Sequence, residues 1–159
     1  MEKEEKYKLL TEQIKALLEG ETDWVGVMAN VTAAIQETMG FLWTGFYRVA
    51  GRELLLGPFQ GPVACMHIGY GRGVCGTAWQ RQETVVVADV EQFPGHIACS
   101  SLSRSEIVVP VKSPEGSVVA VLDIDSRQVA TFDDTDRRQL EAICALLGPL
   151  FGGNSPKNT

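Results

Sequence analysis

The spacing of apolar residues changes period at Gly40. Before it, Tyr7, Leu10, Ile14, Leu17 and Leu18 fall three and four residues apart, which gathers side chains into one stripe along a helix. After it, "FLWTGFYRV" (residues 41–49) is aromatic and β-branched and alternates, the two-residue period of a strand that buries one face. Strand-like runs then recur until a second helical period closes the chain at residues 132–151. Helices at both ends and strands between them predict an α+β fold: one antiparallel sheet with the N- and C-terminal helices on one face.

Local signals punctuate that plan. A first helix is expected over 4–19 with Gly20 as its stop, and a second from a Thr22 or Asp23 cap to Met39, stopped by Gly40. "AGRE" turns residues 41–49 back into "ELLLGPF" (53–59), and "GPVACMHI" (61–68) reads as a third strand. "GYGRGVCG" packs four glycines into eight residues and is expected as a tight loop, followed by a short helix "TAWQRQE" (77–83). "TVVVADV" (84–90), "EIVVPVKS" (106–113) and "SVVAVLDIDS" (117–126) read as strands, with a long ordered loop or short helix at 91–105. An Asp caps the closing helix, and "GGNSPKNT" reads as a frayed tail. The 159 residues carry no repeat and no linker, so one domain is expected over 1–159: an N-terminal helix in 1–21, a core over about 22–151 and a tail at 152–159. The loop-rich stretch 57–105 should build the face opposite the helices, where a pocket is expected.

Charge narrows the function. The net charge of −6 disfavours both a phosphate backbone and an anionic membrane surface. "MEKEEKYKLL" lacks the apolar centre of a signal peptide, and no run approaches a membrane span. A cytoplasmic protein is expected, and there four cysteines point to redox chemistry rather than to a disulfide framework.

Several motifs can be weighed on chemistry alone. Gly71, Gly73 and Gly76 spell G-x-G-x-x-G, but the expected following helix is too short and the next strand-ending acid, Asp89, too near for a dinucleotide site. "DIDSR" lacks the glycine and glutamate of a calcium loop. Cys65, His67, Cys75, His96 and Cys99 lack zinc-site spacing, so neither metal nor cofactor is expected. Cys144, in "EAICALLG", reads as a packed helix residue. Asp123 and Asp125 lie two apart at a strand end and share a face: a solvated edge, or a carboxylate pair aimed at one ligand. Trp43 and Tyr47 share a face four residues apart, as core or as walls of a small pocket. Cys65, Cys75 and Cys99 fall in the loop-rich middle. Thiol chemistry needs an attacking thiolate and a second thiol to resolve the product, and three converging cysteines supply both.

"WTGFYRV", "LGPFQGPVAC", "GRGVCGTAW", "DVEQFPGHIAC", "SEIVVPV" and "VLDIDS" together resemble the free methionine-(R)-sulfoxide reductases, small enzymes of GAF fold, over about residues 22–151. The resemblance implies that Cys99 is the nucleophile. Its thiolate would attack the sulfoxide sulfur of free methionine-(R)-sulfoxide, methionine would depart, and the sulfenic acid left behind would condense with a second cysteine. By the same likeness that partner is Cys65, with Cys75 as the alternative, and a thioredoxin-type dithiol regenerates the enzyme. Glu106, Asp123 and Asp125 match family acids. Three carboxyls on one buried pocket cannot all ionise cheaply; Glu106, supported by Asp125, is expected to stay protonated and donate a hydrogen bond to the sulfoxide oxygen, and a remaining carboxylate to hold the substrate ammonium. Backbone N–H groups of the glycine loop would take the substrate carboxylate, and Trp43 and Tyr47 would enclose its methyl-sulfur end. Ser100 departs from the family pattern, which commonly places Asp after the nucleophilic cysteine. The competing expectation is a GAF-type sensor that binds a ligand without turnover. The apolar stripes of the first and last helices would serve either a homodimer interface or the cover of the sheet.

Overall fold

A computed structural model describes residues 1–97 and 99–152. Helix α1 (Lys3–Leu18) ends just before Gly20, and α2 (Trp24–Met39) runs from an Asp23 cap, whose carboxylate accepts from Val25 N–H, to Gly40 in the left-handed conformation. Strands β1 (Trp43–Ala50), β2 (Glu53–Gln60) and β3 (His67–Gly69) follow, then α3 (Gly73–Arg81), β4 (Val85–Val87), β5 (Ser105–Lys112), β6 (Val118–Ser126) and α4 (Asp134–Leu147). A capping box opens α4: Asp133 accepts from Asp136 N–H, and Asp136 accepts from Asp133 N–H.

The strands form one antiparallel sheet in the order β3-β2-β1-β6-β5-β4. The last strand in sequence is therefore central. Strand alternation divides the core in two. Phe46, Ile107, Val109, Val111, Ala120, Leu122 and Ile124 face α1, α2 and α4, where Tyr7, Leu10, Ile14, Val31, Ile35, Leu140 and Ile143 pack against them. The apolar stripe of α4 packs on β5, and that of α1 packs against α2 and α4. Tyr7 Oη donates to buried Asp136 at 2.5 Å and Lys3 pairs with it at 2.7 Å, tying α1 to α4. The intervening positions, including Trp43, Tyr47, Val108 and Val121, face the other way, onto α3 and the loops. No helix of the described residues is long and apolar enough to cross a membrane.

Four elements differ from the sequence expectation, the first being the run 84–90, which pairs only at Val85–Val87 and ends in a 3₁₀ turn over Val90–Gln92. The third strand pairs only at 67–69, not over 61–68. Gly61 takes a φ of +130°, and Pro62 has no N–H to offer a ladder, so the chain leaves the sheet. Helix α3 starts inside the glycine-rich segment, at Gly73, so residues 73–76 are its first turn rather than loop. Glycine permits this: a Cβ on Gly76 would lie 2.5 Å from the Gly69 carbonyl oxygen, against which the turn is seated. The closing helix stops at Leu147, and Pro149 sits in a 3₁₀ turn, Gly148–Phe151. Residues 153–159 of the expected tail lie outside the described residues.

Candidate active site

Register builds the floor of a pocket on the face away from α1, α2 and α4. Glu106 of β5 lies opposite Asp125 of β6, which lies opposite Trp43 of β1; one step along, Asp123 lies between Val108 and Gly45. All three acids therefore point to the same side, and Glu106 and Asp123 are each only 6% exposed. Gly45, opposite Asp123, leaves room for the Trp43 ring. A Cβ there would run into the Trp43 ring and the Phe59 Cβ.

Such a floor resists ionisation. Burial, then the neighbouring Asp125, pushes Glu106 up to about 8. Burial and Glu106 hold Asp123 well above the usual carboxylate range, and burial and Asp123 do the same to Asp125. Ser103 Oγ donates to Asp125 Oδ1 at 2.9 Å, whereas Asp123 Oδ1 is buried with no hydrogen-bond partner among the described residues. His96 Nε2 stands 3.6 Å from Glu106 Oε1. Burial lowers the His96 pKa and raises that of Glu106, so it works against an ion pair between them.

The walls are aromatic, and they also hold the loop that left the sheet. The Trp43 and Tyr47 rings sit 6.0 Å apart. Trp43 Nε1 donates to Pro62 O and Tyr47 Oη to Cys65 O, each at 2.9 Å. These bonds bend residues 61–66 over the pocket and satisfy the polar tips of buried rings. Opposite them, Ile97 packs on Gly73, where an added Cβ would lie 2.9 Å from Ile97 Cδ1. Gly73, Val74 and Cys75 of the first turn of α3 also line the pocket, and N–H groups of a first turn have no partner within their helix.

A disulfide closes the pocket. Cys65 and Cys99, 34 residues apart, are bonded with Cα atoms 5.6 Å apart. Cys75 is unpaired and buried, and burial together with Asp123 pushes its thiol pKa well up. The remaining cavity is about 50 Å³, lined among others by Trp43, Tyr47, Cys75, Cys99, Glu106, Asp123 and Asp125; Cys65 reaches it through its bond to Cys99. A roomier groove between β5 and α4, about 540 Å³, carries no comparable group of buried acids and thiols.

Structure and sequence can be compared residue by residue. Cys99, Cys65, Cys75, Glu106, Asp123, Asp125, Trp43 and Tyr47 come together around one pocket. The five-donor metal set does not assemble: His67 is exposed on β3 beside Glu53, at 3.2 Å, and two of the sulfurs are bonded to each other. Cys144 is buried in the helix-side core. Ser100 lines the pocket, and its Oγ accepts from Leu102 N–H at 3.2 Å, so it shapes the turn after Cys99. Sequence reasoning missed Gly45 and Ser103, and met His96 only as a metal-ligand candidate. For His96 the available signal was its place three residues before Cys99.

Residues 21–151 match the GAF domain family. The chain is 54% identical over 146 residues to GAF domain-containing protein A of Dictyostelium discoideum, covering 91% of this chain and 92% of that one. It is 43% identical over 148 residues to the free methionine-R-sulfoxide reductase of Escherichia coli, covering 92% and 89%. A crystal structure of free methionine-R-sulfoxide reductase from Neisseria meningitidis, in complex with its substrate, superposes with a TM-score of 0.92 at 49% identity, covering 95% of this chain and 91% of that one.

Proposed function

Since the chain belongs to the free methionine-(R)-sulfoxide reductases, oxidoreductases built on the GAF domain, we propose that this pocket reduces free L-methionine-(R)-S-oxide with Cys99 as nucleophile. The observation that carries the reading is the Cys65–Cys99 disulfide lying over a floor of three buried carboxyls. Oxygen transfer to a thiol needs a sulfur that can be resolved and an acid that is still protonated at neutral pH, and the pocket holds both side by side.

The cycle starts from the reduced pair. The Cys99 thiolate bonds to the substrate sulfur while Glu106 gives its proton to the sulfoxide oxygen. The oxygen then bonds to the Cys99 sulfur as the substrate sulfur–oxygen bond and the transient Cys99–substrate sulfur bond both break, leaving Cys99 as sulfenic acid. The Cys99 sulfur has lost two electrons, the substrate sulfur has gained them, and methionine leaves. Cys65 attacks the sulfenic sulfur, the disulfide forms, and the oxygen leaves as water. Glu106 recovers the proton that Cys99 lost on becoming a thiolate. A thioredoxin-type dithiol reduces the disulfide by exchange. Cys65 is assigned as resolving thiol because it is the one bonded to Cys99; the buried, raised thiol of Cys75 makes it the poorer attacker.

Binding follows from the same walls. Asp123, with its unpartnered oxygen, holds the substrate ammonium, and Asp125, anchored by Ser103, supports Glu106. The first-turn N–H groups of α3 take the carboxylate, and Trp43 and Tyr47 enclose the methyl-sulfur end. A peptide-bound methionine sulfoxide has neither charged terminus and would leave those groups desolvated and unpaired, which is the basis of discrimination for the free amino acid.

The test is consumption of free methionine-(R)-sulfoxide with a thioredoxin system. Turnover is expected for the free (R) epimer, not for the (S) epimer or a peptide-bound sulfoxide, and Cys99→Ser should lower it by at least about a thousandfold. A folded, reduced wild-type protein that turns over none of these would leave the ligand-binding sensor as the better account.

A further inference from the structure

The surface around the Cys65–Cys99 bridge differs from the rest of the molecule. Among the described residues ten large apolar side chains are exposed, and four of them, Val63, Met66, Ile97 and Leu102, lie within three residues of Cys65 or Cys99. The bridge holds the two Cα atoms 5.6 Å apart, which brings the two segments side by side. Building on the reductase reading above, we propose that these four side chains form a docking collar for a protein dithiol, and that the incoming thiolate attacks Cys65 rather than Cys99.

The chemistry of the collar selects the partner. Residues 61–66 and 96–102 contain no Asp, Glu, Lys or Arg, in a chain that is 21% charged. Val63 is 88% exposed and Met66 61%. Side chains so exposed add little to the core, and gathered at one place they mark a surface that another molecule covers. A small thiol such as glutathione carries carboxylates and an ammonium, which find no opposite charge on the collar. A protein whose dithiol is set in an apolar surface would bury it, as the centre of a protein interface does. The backbone beneath is already anchored, because Trp43 Nε1 donates to Pro62 O and Tyr47 Oη to Cys65 O. Less ordering is therefore left for the encounter.

The placement of the bridge selects the sulfur. Displacement at a disulfide sulfur runs in line with the bond that breaks. Cys99 lines the cavity and Cys65 does not, so the bridge has its Cys99 end on the pocket and its Cys65 end toward the collar. In-line attack on Cys99 would have to come through a cavity of about 50 Å³. That is room for a few waters at about 10–15 Å³ each, not for a protein's cysteine. Attack on Cys65 needs no such passage. The incoming thiolate bonds to Cys65 Sγ, the Cys65–Cys99 bond breaks, and its electron pair leaves on Cys99, which is released as a thiolate into the pocket. The partner's second thiol gives up its proton and attacks its own sulfur in the mixed disulfide, and Cys65 departs and takes up a proton. The partner ends as a disulfide, two electrons poorer, and the bridge as two thiols.

The experiment uses the full chain in its disulfide form, with a thioredoxin whose second cysteine is replaced by serine as the trap. After acid quenching and digestion, the mixed disulfide should map to the peptide of Cys65. An adduct on Cys99, or no adduct, would overturn the proposal. Rates of bridge reduction by intact thioredoxin and by dithiothreitol then separate docking from exchange chemistry. Met66 and Leu102 are exposed and lie outside the pocket lining. Replacing both, Met66→Gln with Leu102→Gln, should slow reduction by thioredoxin about tenfold and leave reduction by dithiothreitol unchanged. An unchanged thioredoxin rate, or equal slowing with both reductants, would overturn the collar. Neither readout uses methionine sulfoxide, so a failure of sulfoxide turnover counts against the reductase reading and not against the docking surface.

Discussion

The two faces of the sheet are buried to similar depth and filled with opposite chemistry. Toward α1, α2 and α4, β5 and β6 present Ile107, Val109, Leu122 and Ile124, all fully or almost fully buried among other apolar side chains. Toward α3, the same two strands present Glu106, Asp123 and Asp125. Burying aliphatic side chains is favourable by roughly 1.5–3 kcal/mol each. Burying carboxyls is unfavourable unless they are paired or protonated, and burial together with one another pushes the pKa of all three up. The helix-covered face therefore holds the fold together, and the pocket face draws on that stability to keep acids and a thiol in reactive states. A substitution that harms one face should help or spare the other.

Leu122→Ala gives the largest expected separation. Leu122 is fully buried in the helix-side core, and removing it should lower unfolding free energy by about 2–5 kcal/mol. Chemical denaturation measures that loss, while turnover per folded molecule at low temperature should hold. A collapse of turnover per folded molecule would show that the two faces are coupled.

Glu106→Gln tests the opposite face, and its sign depends on pH. The folded-state pKa of Glu106, about 8, lies above its ordinary value of 4.5, so the folded protein binds the proton more tightly than the unfolded chain does. The stability this contributes is fully present below about 4.5 and is lost as pH rises through about 8; the raised Asp123 and Asp125 act in the same direction. Thermal melts should therefore show wild type losing ground to Glu106→Gln as pH rises across that window. The amide keeps a donor but cannot release a proton, so kcat should fall by about a hundredfold or more with little change in KM. A variant less stable than wild type above pH 8 would remove the idea that this face is held at a cost.

Tyr47→Phe makes a finer cut. It removes the hydrogen bond to Cys65 O while keeping the ring, at about 1 kcal/mol. Stopped-flow measurement should find disulfide formation slowed severalfold and the first, oxygen-transfer step nearly unchanged. Equal slowing of both would mean that the phenol acts on substrate rather than on the loop. On the helix side, Asp133→Ala should lower stability by about 1 kcal/mol through loss of the α4 cap, read from the denaturation midpoint, with turnover unmoved.

What could be read from the chain alone is what repeats over short distances. A period of two places Asp123 with Asp125 and Trp43 with Tyr47 on shared faces, and a period near 3.6 marks α1 and α4, because side-chain direction within one element depends only on local backbone geometry. Asp23 and Asp133 announce helix starts for the same local reason. Their shared place in the loop-rich middle brought forward Cys65, Cys75 and Cys99, and family likeness assigned their roles and that of Glu106. The tertiary structure alone decided the rest. Glu106 meets Asp125 only because β6, last in sequence, pairs between β1 and β5. Cys65 leaves the sheet and reaches Cys99 because Gly61 and Pro62 break the ladder and Trp43 and Tyr47 catch the released loop. Cys75 is sealed in by a helix that begins among glycines, where the sequence reads as loop. Each of these depends on register and on contacts between residues far apart in the chain, which no local period encodes.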